Sequence, residues 1–172
     1  VLSMHQRYFK GTMPRTASDL DGRVDLSLAA EARNAIEGFC AGMSVCEFHK
    51  GLAAVWQFIS VMNKYIDTNE PWALSKDESN LPVLETVMAN LVEGIRVVAC
   101  LIWPVMPQTA AAMQETLGIK RESKPFYSIK EIAPWAQIQK GHAMAKPDVL
   151  FPRIDVTKAK PAKEEKKAKP FK

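Results

Sequence analysis

Cysteine is scarce in this chain. Only Cys40, Cys46 and Cys100 occur among 172 residues. An odd number scattered through apolar sequence excludes a disulfide framework and suits a reducing cytoplasm. Cys40 and Cys46 are six positions apart, so on a helix they point about 120° from each other. Cys46 and His49 share a helical face, but no second pair completes a zinc site. The thiols therefore read as small buried apolar groups, and no metal site is expected. Long hydrophobic runs are also missing. The best candidate, around Val92 to Val105, carries Glu93 and Arg96, so it falls short of the ~18–20 uninterrupted apolar residues of a membrane span. The chain opens Val1-Leu2-Ser3-Met4 with no charged segment leading into an apolar run, so no signal peptide is expected in it. Gly-rich phosphate loops, G-x-S-x-G and H-E-x-x-H are all absent. His5, His49 and His142 lie far apart and read as surface or half-buried imidazoles. No catalytic residue and no cofactor is expected in this chain.

What is present belongs to a folded protein. Hydrophobic residues make up 47% and charged residues 24%, outside the range of disordered chains. The net charge of +4 is unevenly placed. Residues 157–172 hold seven lysines and two glutamates, a net +5, which leaves −1 for residues 1–156. Overall basicity is thus weak evidence for nucleic-acid binding. The same sixteen residues are low in complexity and too poor in apolar side chains to bury a core. They read as a flexible Lys-rich linker.

Hydrophobic periodicity marks helices along residues 1–156. Val1 to Lys10 reads as the end of a helix, with Leu2, His5, Gln6 and Phe9 at helical spacing and Gly11-Thr12-Met13-Pro14 as its breaker. A second helix starts near Asp25 or Ser27, with a stripe of Leu28, Ala32, Ala35, Ile36, Phe39 and Met43. In a third, Phe48, Leu52, Val55, Trp56, Ile59, Met62 and Ile66 step by three and four. It ends by Asn69-Glu70, because Pro71 disfavours helix at the residue before it. A fourth runs from about Leu81 to Trp103, burying Leu84, Val87, Met88, Leu91, Ile95, Val98 and Ile102, and Pro104 stops it. Within it, Glu93 and Arg96 are spaced for a partly buried intrahelical ion pair. A fifth spans about Pro107 to Leu117, with Gly118 as its C-terminal cap. Residues 119–156 read as loops with a short helix near Glu131 to Gln137. No alternating strand pair occurs. The fold class is all-α: an antiparallel helix bundle with an irregular C-terminal segment and a Lys-rich tail.

One segment stands out. In Asn63-Lys64-Tyr65-Ile66-Asp67-Thr68-Asn69-Glu70-Pro71-Trp72 a helix ends and a Trp follows a Pro. On bulk statistics such a Trp packs under the helix end. The string Asn-Lys-Tyr-Ile-Asp, three residues, then Pro-Trp resembles the third-helix signature of class I aminoacyl-tRNA synthetase anticodon domains, most closely the methionyl branch. Three further stretches are similar in order and spacing: Glu47 to Leu52; Leu91 to Arg96 followed by Trp103-Pro104-Val105-Met106-Pro107; and Leu150-Phe151-Pro152-Arg153-Ile154. The resemblance covers roughly residues 1–156 and divides the chain into a helical domain (1–156) and a linker (157–172).

The resemblance implies that a separate α/β catalytic domain activates methionine with ATP and magnesium and charges the tRNA, while this domain holds the anticodon loop. The isolated chain is then inactive. It implies that Trp72, mounted by Pro71, stacks on an anticodon base. The family's first-helix Asn-x-x-x-Arg would lie just before Val1, leaving Arg7 as a basic residue further along that helix to face the loop. The closing peptide would dock on the catalytic domain, and the tail would lead to an OB-fold tRNA-binding domain. Single-stranded bases are commonly read by aromatic stacking, which needs little net charge at ~1–3 kcal/mol per base. Two alternatives stay open: the equivalent domain of a valyl, leucyl, isoleucyl or cysteinyl enzyme, and a helical scaffold with no RNA role.

Overall fold

The structure is a computed structural model, and it describes residues 1–14, 27–119 and 128–151. The described residues form seven α-helices, in order α1 (Leu2–Phe9), α2 (Leu28–Ser44), α3 (Phe48–Asn69), α4 (Pro71–Leu74), α5 (Leu81–Leu101), α6 (Pro107–Thr116) and α7 (Ile129–Ile132). A 3-10 turn at Glu78–Asn80 precedes α5. The described residues contain no strand, only a single antiparallel bridge between Thr12 and Ala143. The all-α expectation holds for them. The Lys-rich tail lies outside the described residues.

The α2–α3 hairpin is set by a glycine contact. A Cβ on Gly42 would meet Gly51 N at 2.5 Å and Gly51 Cα at 2.8 Å. The two backbones touch there, so the face of α3 that carries Gly51 must turn inward. Gly51, Val55, Phe58, Met62 and Tyr65 are accordingly buried. Of the stripe expected from sequence, Val55 and Met62 are buried, and the other five positions are rotated off this face. Phe48 is 56% and Trp56 51% exposed, while Leu52, Ile59 and Ile66 are only partly buried. For α2 the expected stripe is correct at Leu28, Ala32, Ala35, Ile36 and Phe39, with Met43 half-buried at its end.

Helix α5 is the axis of the domain. It packs against α2, α3, α4 and α6, and 17 of its 21 residues are buried. A helix buried on all sides needs no amphipathic stripe. Of the residues expected in its buried face, Ile95 alone stays half-buried. The helix ends at Leu101, three residues ahead of Pro104. The close of α6 follows the expectation. Gly118 (φ 70°) donates from its N–H to Glu115 O, and Ile119 N–H reaches Gln114 O. This pair of bonds is the Schellman cap.

The irregular C-terminal segment is held by buried charge. Arg96 Nε lies 2.6 Å from Glu93 Oε1, and both side chains are almost wholly enclosed. The pair is therefore fully buried, not partly, and it reaches beyond its own helix. Arg96 Nη2 donates to Ile132 O (3.0 Å) and Pro134 O (2.8 Å). Gln137 N–H and Ile138 N–H donate to the Glu93 carboxylate at 3.0 and 3.3 Å. Those two amides converge because Ala136 takes φ 60°, a left-handed kink that lines successive N–H groups up on an anion. The short helix begins earlier than expected, at Ile129 rather than Glu131, because Ser128 and Glu131 form a capping box. It also stops at Ile132, two residues ahead of Pro134. Met13 N–H donates to His142 O, and Met144 N–H to Gly11 O. These bonds tie the two ends of the described chain together.

Candidate nucleic-acid interface

The candidate site begins where α3 stops. Asn69 Nδ2 folds back to donate to Tyr65 O at 2.8 Å, a side-chain bond across the last turn of the helix. Glu70 then adopts φ 40° and turns the chain out of α3. Pro71 is pre-set for the first turn of the next helix and opens α4, where it is buried. Ala73 N–H and Leu74 N–H both return to Glu70 O, and Ser75 Oγ donates to Trp72 O at 3.1 Å. Helix α4 packs on α5, and Leu74 joins the core. Beneath it, Asn90 Nδ2 on α5 donates to Tyr65 OH on α3 at 3.2 Å in a buried contact. Every backbone element around Trp72 is thus tied down.

Trp72 is left 43% exposed. Among the described residues its indole makes no hydrogen bond or ring contact. A half-exposed indole on a rigid mount offers a flat apolar face at little ordering cost. Asn63, Lys64 and Asp67 are exposed on the preceding turns of α3 and supply polar groups around it.

The other sequence candidates are placed as follows. Pro71 is buried at the start of α4. Arg7 is exposed on α1, whose Val1, Met4, Tyr8 and Phe9 pack on the core. No hydrogen bond or ion pair among the described residues joins Arg7 to α4. His5 corrects the surface reading: it is 1% exposed, 5.4 Å from the Phe9 ring, and its Nε2 has no partner. Burial lowers its pKa to about 4. His142 is half-buried and bonds Leu117 O at 2.8 Å, while His49 is exposed. Cys46 is exposed at the α2–α3 turn and Cys40 half-buried, so only Cys100 fits the buried-thiol reading. Its burial pushes the thiol up to about 11, which leaves it protonated and unreactive. The described residues bring no three metal-ligating side chains together, and none of their helices is long and apolar enough to cross a membrane.

Sequence reasoning missed the mount: Tyr65, Asn69 and Asn90. One signal was available. Asn90 is a lone amide inside Val87-Met88-Ala89-Asn90-Leu91-Val92, and a buried amide requires a partner.

Comparison with known proteins addresses the whole arrangement. The family model described as the anticodon-binding domain of methionyl tRNA ligase matches residues 14–168. A methionine–tRNA ligase of Caldanaerobacter subterraneus subsp. tengcongensis is 35% identical over 96% of this chain and 25% of its own length. That of Fusobacterium nucleatum subsp. nucleatum is 34% identical over 92% of the chain and 24% of its own length. The free-state methionyl-tRNA synthetase of Mycobacterium tuberculosis superposes with a TM-score of 0.77 at 27% identity, over 89% of this chain and 30% of that one. The same enzyme in complex with methionyl-adenylate gives 0.78 over 88% and 29%. The chain spans about a quarter of the length of the curated relatives it matches. It belongs to the family of methionyl-tRNA ligase anticodon-binding domains.

Proposed function

We propose that this chain holds the anticodon loop of the methionine tRNA, in support of ATP-dependent attachment of methionine by a catalytic domain elsewhere in the same polypeptide. The observation that carries the reading is Trp72: an exposed indole, free of partners among the described residues, fixed at a helix junction in a domain of this family. Trp72 stacks on one splayed base. Pro71 acts through the backbone by setting the direction of the turn. Arg7 supplies positive charge to the loop from α1. The −1 net charge of residues 1–156 fits a site that binds by stacking rather than by a phosphate field.

In this reading ATP and its magnesium are handled by the catalytic domain, and residues 1–156 form the binding domain. Exposed Val149, Leu150 and Phe151 support docking of the closing segment on that catalytic domain. Residues 157–172 form a linker toward an OB-fold tRNA-binding domain, and the protein works in the cytoplasm.

The test is binding of anticodon stem–loops to the chain, with the methionine anticodon against one changed at its first base. A preference of tenfold or more for the methionine loop is expected. Equal affinity for both loops, in the chain and in a longer protein that includes the catalytic domain, overturns the reading.

A further inference from the structure

A second feature on α5 has the makings of a base-binding pocket, and it rests on the RNA reading above. A cavity of about 220 Å³ lies between α5, the Met13–Pro14 segment and residues 135–140. A cavity of ~150 Å³ already admits benzene, so this one has room for a single heterocycle. Trp135 forms an aromatic wall and Met13 and Ile138 apolar ones. The inner wall is polar. Asn90 directs one amide N–H to Tyr65 OH, and its carbonyl oxygen accepts no hydrogen bond among the described residues. Beside it, Glu93 takes Arg96 Nε and Gln137 N–H on Oε1, but only the longer 3.3 Å bond from Ile138 on Oε2. Exposed Lys140 stands at the rim, without an ion pair among the described residues.

An aromatic wall, a pair of buried acceptors and a rim ammonium match the three parts of a nucleotide: π-face, base edge and phosphate. The pocket is also coupled to the Trp72 mount. Tyr65 bonds Asn90 through its hydroxyl and Asn69 through its carbonyl, and Asn69 lies three residues before Trp72. We propose that this cavity receives a second unpaired nucleobase of the bound RNA, stacked on Trp135 and read by Asn90 and Glu93. An exocyclic amino group sets two N–H donors against these two acceptors where uracil has only its ring N3–H, so adenine, cytosine or guanine is preferred over uracil. Lys140 draws in its phosphate.

The test uses mononucleotides and the full 172-residue chain labelled with nitrogen-15. Titration with AMP, CMP, GMP and UMP is followed at the indole N–H signals and the Asn90 side-chain amide. The three amino-bearing nucleotides are expected to shift Trp135 and Asn90, with UMP at least tenfold weaker. Lys140→Ala, a surface change that leaves the fold intact, lowers affinity several-fold and makes it less salt-dependent. In Trp72→Ala the Trp135 shifts persist, so this pocket and the Trp72 platform are judged separately. Shifts confined to Trp72, no shift at Trp135 at millimolar nucleotide, or equal response to UMP each overturn the proposal.

Discussion

Replacing Arg96 with Met is the sharpest probe of how the domain is assembled. The guanidinium makes one bond to the Glu93 carboxylate and two to the carbonyls of Ile132 and Pro134. In Arg96→Met those carbonyls lose their donor, and the Glu93 carboxylate stays buried with only two backbone amides. Breaking a buried pair from one side costs about 3–5 kcal/mol, and domains of this size have only about 5–15 kcal/mol in all. The variant should remain folded but lose much of its stability in urea. Local opening should appear as faster hydrogen exchange at the Gln137 and Ile138 amides, since both are anchored on the orphaned carboxylate. The double variant Arg96→Met/Glu93→Gln should cost less than the sum of the two single changes, because it removes the stranded charge. A cost below about 1 kcal/mol for Arg96→Met, with unchanged exchange at Gln137 and Ile138, would refute the clasp.

Further outcomes follow from single positions. His5 is buried with its folded pKa lowered to about 4 from 6.5, so its contribution to stability is complete above about pH 6.5 and is lost as the pH falls through 4. Urea midpoints measured from pH 7 to 4 should show a fall that His5→Leu flattens. Ala136→Gly relieves a left-handed alanine and should raise stability by a few tenths to about 1 kcal/mol, a shift readable in the thermal midpoint. Deleting residues 157–172 removes a net +5. It should lower the slope of log K against log salt for RNA while leaving the loop preference unchanged.

Legibility in the sequence varied with how one-sided each helix is. Helix α2 carries a single apolar stripe, so Leu28, Ala32, Ala35, Ile36 and Phe39 could be assigned directly. Helix α3 is apolar around about half its circumference, and hydropathy could not choose between overlapping faces. The choice was made by the Gly42–Gly51 contact, which is tertiary and has no periodic signature. On α5 periodicity pointed to one face because Glu93, Arg96, Thr86 and Asn90 look like surface residues, yet all four are buried. The partners of Asn90, Arg96 and Glu93 outside the helix, Tyr65, Ile132, Pro134 and Gln137, lie 25 to 44 positions away, beyond the reach of local patterns. The capping box of α7 was readable as Ser-x-x-Glu from Ser128 to Glu131 and was overlooked. Trp72 itself was singled out by motif. Its exposure rests on the Tyr65–Asn90 and Asn69 contacts that hold the turn, and those needed the fold.

The central claim is that Trp72 is a platform for a base and not a piece of core. Trp72→Ala in a protein that includes the catalytic domain tests it, with binding of the methionine anticodon loop and unfolding in urea measured on the same preparation. With 43% of the residue exposed, stability should fall by well under the ~3–5 kcal/mol of an emptied aromatic core site. Affinity for the loop should fall by about 1–3 kcal/mol. A folded variant that kept full affinity and full discrimination between the methionine loop and one altered at its first base would contradict the account.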